Sequence, residues 1–265
     1  MKIGQIALGA ALLVAALPLA ALAQGQQQPA QKGPHPKSQK EVQALQKVQA
    51  DQQAGNWDQE IQDINGVLEN FADTEFKPQL LAMAMDAAQR KGDYAQTVAF
   101  GEKALDVNPN DIQTQVLMAE TIASHTREND LDKDQSIKKV QDYANKALEQ
   151  LKTATTAPAG MNEAQWPDLK KLLTSQAYDA LGQAADLDKK FPDAINHFKT
   201  AIDADATNSV PMARLAKAYN DNKQYDDAIS TADKVLALNT APAAVKQFAQ
   251  QQKDAATKLK GAAPK

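Results

Sequence analysis

Reactive side chains are scarce in this chain of 265 residues, which has three histidines and no cysteine. His35 lies in a Gln- and Pro-rich stretch, His125 near the end of a helical segment, and His197 beside Phe198. No two of them share metal-ligand spacing, and without cysteine there is neither a thiol nucleophile nor a thiolate zinc set. Neither a hydrolase triad nor a phosphate-binding loop is legible. One acidic run has ligand-like spacing: Asp130, Asp132 and Asp134 alternate as the first ligands of a calcium loop do, with oxygens on one side of a turn. The helix–loop–helix calcium motif then needs glycine where Gln135 stands and a bidentate glutamate where Gln141 stands, and Lys133 adds a competing positive charge. A solvated acidic insertion accounts for the run better. The chain is therefore expected to hold no catalytic residue and no cofactor, these three aspartates being its sole metal-ligating candidates.

The elements that hold these residues are helical. Lys2, the apolar run Ile6–Leu17 and the small-x-small pattern Ala21-Leu22-Ala23 make residues 1–23 a signal peptide cleaved after Ala23, which predicts a periplasmic or secreted protein with no membrane span after cleavage. The alternative is an uncleaved anchor. Residues 24–40, with Pro29, Gly33, Pro34 and Pro36, lack apolar periodicity and read as a disordered tether. From Glu41 onward, helix formers are punctuated by Gly, Asn and Pro, and strict alternation is missing, so an all-α chain is expected. The formal net charge is −4, and loss of Lys2 with the leader makes the remainder one charge more acidic. Nucleic acid and anionic lipid need a basic footprint, so neither is expected as a partner.

An internal repeat organises the helical part. Ala194, Phe198, Ala201 and Ile202 stand at offsets 0, 4, 7 and 8, and Ala228, Ala232, Val235 and Leu236 repeat them 34 residues later. The same offsets occur at Thr97, Gly101, Ala104 and Leu105, at Val140, Ala144, Ala147 and Leu148, and at Glu60, Ile64, Val67 and Leu68. They share one helix face, with small residues where a neighbouring helix must come close. Glu60 fits that face poorly. An aromatic residue opens four of these helices (Trp57, Tyr94, Phe191 and Tyr225), and Leu181-Gly182 with Tyr178 and Leu215-Ala216 with Tyr219 mark the helices before the last two.

These features resemble the tetratricopeptide repeat, over about residues 41–243 and most closely over 78–111 and 175–243. The resemblance implies a right-handed α-α superhelical solenoid of about five helix pairs. Spacing of the closing residues Leu68, Leu105, Leu148, Ile202 and Leu236 places insertions near Asn70–Glu75, at 126–134 and at 153–166. The expected division is N-terminal repeats over 41–152, a connector at 153–166, C-terminal repeats over 167–243, a capping helix over 244–260 and a tail at 261–265. Thr240 and Pro242 start that last helix, Gly261 ends it, and Val245, Phe248, Ala249, Ala256 and Leu259 form its apolar face.

In tetratricopeptide arrays the first helix of each repeat lines a concave groove. By that resemblance the partner-facing candidates are Met83, Asp86, Arg90, Leu117, Glu120, Asp179, Gln183, Arg214, Lys217 and Asn220. Chaperone-binding members hold a C-terminal carboxylate with a Lys/Asn/Asn/Lys/Arg clamp. Here Arg214 alone matches a clamp slot, and Ala82, Asp86 and Leu117 fill others, so that ligand is not implied. The function expected is a non-catalytic scaffold of the bacterial cell envelope that binds a peptide segment or helix of an unidentified protein. The alternative is an enzyme or accessory subunit using the insertions at 126–134 or 153–166, the latter with Met161, Asn162, Glu163 and Trp166.

Overall fold

The structure, a computed structural model, describes residues 34–158 and 161–262. The expected signal peptide, the first part of the tether and the last residues of the tail lie outside the described residues. Among those described there are eleven α-helices and no strand. They run α1 (Gln39–Ala54), α2 (Trp57–Asn70), α3 (Lys77–Arg90), α4 (Tyr94–Val107), α5 (Ile112–His125), α6 (Lys133–Thr153), α7 (Trp166–Leu187), α8 (Phe191–Ala204), α9 (Ser209–Asp221), α10 (Tyr225–Ala237) and α11 (Ala243–Ala262). Five helix pairs and one further helix thus stand where the repeat predicts them.

The chain divides into two compact units, one over residues to 115 with 154–166, the other over 116–153 and from 167 onward. The division falls inside α5 rather than at the connector: residues 116–153 group with the later helices, and 154–166 group with the earlier ones.

Each repeat face is core. Ala194, Phe198, Ala201, Ala228, Ala232, Val235, Thr97, Ala104, Val140, Ala144, Ala147, Ile64 and Val67 are all buried, and so is the ill-fitting Glu60, at 1% exposure. Such burial of apolar side chains, at about 25 cal/mol per Å², is what offsets the entropy of ordering the helices.

The turn inside each pair explains how the aromatic residues come to open the second helix. Gly55 and Gly92 have φ of 71° and 73°, and Lys189 and Lys223 have φ of 59° and 61°. These four residues end α1, α3, α7 and α9 in the left-handed region, where the next amide turns back onto the helix. Asn56 N–H donates to Asp51 O, Asp93 to Ala88 O, Lys190 to Ala185 O and Gln224 to Tyr219 O, at 2.8–3.0 Å. The left-handed residue itself donates three residues back, as Lys223 does to Asn220 O at 2.9 Å. This pair of bonds is the Schellman closure, and it satisfies carbonyls that a helix end otherwise leaves bare. Lysine tolerates the left-handed region poorly. Lys223→Gly is therefore expected to raise stability by about 1 kcal/mol, read as a higher denaturation midpoint with unchanged slope.

Gly182 marks a close approach between α7 and α8. A Cβ placed there would lie 2.5 Å from the Phe198 ring, and that ring is 2% exposed. Alanine normally favours a helix over glycine by up to about 1 kcal/mol, but overpacking against a ring with no free end costs about 1–3 kcal/mol. Gly182→Ala is expected to destabilise the C-terminal unit, by about 2 kcal/mol net, in chemical denaturation.

The far end departs from expectation in two details. α11 packs on α9 and α10 through Val245, Ala249 and Ala256, all fully buried. Gly261 lies inside the helix, which runs to Ala262, instead of ending it. Leu259 is 45% exposed, although the next residue, Lys260, still reaches Asp226 of α10. At the other end, residues just before α1 are held down. Lys37 Nζ bonds Asp73 Oδ2 at 3.0 Å, His35 N–H donates to Glu75, and Ser38 caps α1 by accepting from Glu41 N–H at 3.1 Å.

Candidate functional site

The first helices of the pairs carry the polar residues that the core does not absorb. In the C-terminal unit three of them converge. Asp179 on α7 is 2% exposed and takes an ion pair from Arg214 on α9, and Gln183 Nε2 donates to the same oxygen, Asp179 Oδ2, at 3.2 Å. One turn along, Lys217 Nζ lies 2.6 Å from both Asp186 Oδ2 and Asp221 Oδ2. Glu120 on α5 faces Asp179 and Arg214 closely enough to feel both charges.

Burial dominates the electrostatics. It raises the Asp179 carboxyl above the usual range, with Arg214 opposing, and raises Asp186, with Lys217 opposing. Burial also disfavours the Lys217 ammonium, yet Asp186 and Asp221 together hold its pKa above the ordinary lysine value. Glu120 is half-buried as a residue, but its carboxyl is crowded by protein. Burial and then the Asp179 charge push its pKa up to about 8, against the pull of Arg214.

The N-terminal unit has a smaller parallel. Asp86 on α3, 4% exposed, accepts from Arg90 Nε at 2.6 Å, and the Arg90 guanidinium sits 5.0 Å from the centre of the Trp57 ring. Behind them Glu60 on α2 is 1% exposed, and neither of its carboxylate oxygens has a hydrogen-bond partner. Burial, with the Asp86 charge next, raises its pKa to about 7. An open cavity of 470 Å³ lies elsewhere in this unit, between α1 and α2, and its charged lining pair Lys47–Asp63 is bridged at 2.8 Å.

The other candidates divide plainly. Met83 and Leu117, 1% and 3% exposed, are core side chains that present no surface to a partner. Asn220 is 7% exposed, and its amide donates to Gln252 O of α11 at 2.9 Å, so it fastens the last helix. Asp130 Oδ2 accepts from Arg127 N–H at 2.6 Å, Asp134 has already entered α6, and among the described residues no three His, Cys, Asp or Glu side chains gather as a metal set. In the 153–166 insertion the exposed Glu163 accepts from Ala157 N–H, and Trp166 is buried at 4%. His197 stacks on Tyr178 with ring centres 6.2 Å apart, and burial lowers its pKa.

Three residues of these clusters were missed as groove or buried-charge positions. Asp186 and Asp221 stand seven residues beyond Asp179 and Arg214, which is two helical turns along the same face, so that spacing could have found them. For Glu60 the signal was its misfit on an otherwise apolar face.

Residues 187–251, the end of α7 through the first half of α11, match the tetratricopeptide repeat family. That stretch carries tetratricopeptide repeats. Solved structures extend the fold likeness over most of its length. A thermophilic tetratricopeptide repeat protein of Thermus thermophilus superposes with a TM-score of 0.56 and 12% identity, covering 80% of this chain and 98% of that one. MamA of Desulfovibrio magneticus RS-1, from its residue 41 to its end, gives a TM-score of 0.56 at 18% identity, covering 78% of this chain and 98% of the other. At such identities the likeness is one of fold. No characterised protein matches the chain by sequence. The repeat protein is thus all-α and of the solenoid class, and among its described residues no helix is long and apolar enough to cross a membrane.

Proposed function

We propose that this tetratricopeptide repeat protein is a non-catalytic interaction scaffold of the bacterial cell envelope, and that the first helices of its C-terminal unit hold an extended segment or helix of a partner protein. The observation that carries the reading is the convergence of Glu120, Asp179, Gln183, Arg214 and Lys217 from three successive first helices. Side chains aligned in this way suit periodic contacts along a peptide, which is how repeat surfaces recognise partners. The repeat family supports a protein partner, and the acidic balance speaks against nucleic acid. The envelope location rests on the leader pattern of residues 1–23 and is tested by N-terminal sequencing of the fractionated native protein, where an intact Met1 in the cytoplasmic fraction would refute it.

Photocross-linking tests the groove. A photoreactive amino acid at position 183, on the first-helix face, is expected to trap a protein partner in envelope extracts. The same group at position 203, exposed on α8, is expected to trap none. Equal trapping from both positions, or no adduct from 183, would remove the groove from the function.

A further inference from the structure

The groove of the C-terminal unit holds more acid than base. Asp179, Asp186, Asp221 and Glu120 stand against Arg214 and Lys217, and every ion pair described there already uses one of those two bases. The shortfall is visible atom by atom. Both donors that reach Asp179, from Arg214 and Gln183, go to Oδ2, and the buried Oδ1 has no partner. Lys217 bonds Oδ2 of Asp186, and Oδ1 there is again unpartnered. Glu120 makes no hydrogen bond or ion pair at all among the described residues, although it lies within electrostatic reach of Asp179. A buried carboxylate oxygen without a donor forfeits its hydration, on the order of 1–3 kcal/mol per group, unless a ligand or water supplies the donor.

We infer that Glu120 with Asp179, and Asp186 two turns further along α7, form seats for cationic side chains, lysine or arginine, of a basic partner segment. The inference rests on the groove reading above and gives it a ligand chemistry. A guanidinium or ammonium brings the donors the vacant oxygens lack, and its charge cancels the local surplus. Arg214 and Lys217, already engaged on the other oxygens, repel an arriving cation from their own side and so direct it towards the vacant oxygens. Glu120 keeps its proton at neutral pH because of burial and Asp179, so an arriving cation displaces that proton. Binding is then coupled to proton release, and affinity rises with pH through the neutral range while the peptide keeps its charge.

Three fluorescein-labelled peptides with blocked ends, alternating alanine with arginine, glutamine or glutamate, are titrated by anisotropy with the full chain at about 0.15 M salt. The arginine peptide is expected to bind at least about tenfold tighter than the glutamine peptide, with the glutamate peptide weakest. Glu120→Gln is expected to weaken the arginine peptide about tenfold, and Asp203→Asn, on the exposed face of α8, to leave it unchanged. Heats of binding should shift with the ionisation enthalpy of the buffer for the native protein and not for Glu120→Gln. Glutamine or glutamate peptides binding as tightly as arginine would overturn the cation seat and leave the groove standing. Equal loss from Asp203→Asn and Glu120→Gln would reduce the effect to diffuse attraction and overturn it too. If none of the peptides binds, the cation seat falls, and the cross-link at position 183 decides separately whether the groove falls with it.

Discussion

Glu60→Gln will flatten the pH dependence of stability, and Glu60→Leu will make the protein more stable at pH 8 than the native chain. The carboxyl of Glu60 is buried without a single hydrogen bond, and its pKa in the folded protein is about 7 against an ordinary value of 4.5. Below the lower value both folded and unfolded chains hold the proton, and the site costs nothing through ionisation. Between the two values the unfolded chain ionises while the folded one does not, so stability falls as pH rises. Above about 7 the penalty is complete, on the order of 3 kcal/mol at 1.36 kcal/mol per pKa unit. The groups around it are Asp86 and Asp51, which deepen the penalty, and Arg90, which relieves part of it. Denaturation midpoints of native and variant chains at about pH 5 and pH 8 provide the measurement. A native protein equally stable at both values, with a Glu60→Gln curve parallel to it, would sink the account.

Arg214→Leu is expected to cost about 3–5 kcal/mol, because it strands the Asp179 carboxylate at 2% exposure with only Gln183 to donate to it. Burial already raises the Asp179 pKa, so without Arg214 it takes up a proton more readily. The folded pKa of the variant then lies further above the unfolded value, and the loss is smaller in acid and larger as pH rises through the neutral range. The double variant Asp179→Leu/Arg214→Leu is expected to recover most of the loss, since removing both members of a buried pair is often near neutral. A double-mutant cycle read by urea denaturation checks it, and additive losses would contradict the pairing.

Most of the fold was legible because the repeat writes its packing into small residues at fixed offsets. Ala194, Ala201, Ala228 and Ala232 leave a helix no other face to bury, and the aromatic residues at Trp57, Tyr94, Phe191 and Tyr225 mark where each second helix starts. The units were harder to see. Side-chain periodicity describes each helix singly, whereas the grouping of residues 116–153 with the later helices depends on packing between elements. The site was half legible for a related reason. Facing residues such as Asp179 and Arg214 follow from the repeat phase, but exposure does not. Met83 and Asp86 are three residues apart on one helix, and only packing decides that one is a core side chain while the other is a buried acid bound to Arg90.

Glu41 and Glu60 show how little composition says about a buried charge. Both are 1% exposed, yet Glu41 accepts from Lys37 N–H at 2.6 Å and Thr74 Oγ1 at 2.7 Å, while Glu60 accepts from nothing.

The helix α11 has a consequence best put in the language of chain growth. Each repeat presents an adhesive flank to the repeat that follows, so a stack of them behaves as a polymer that adds units at its end. By laying Val245, Ala249 and Ala256 over α9 and α10, and keeping charged residues such as Lys253 and Lys260 tied to Asp233 and Asp226, α11 acts as the terminator of that polymerisation. Where it sits, the flank offered by α9 and α10 is already occupied, as a chain stopper occupies a growing end.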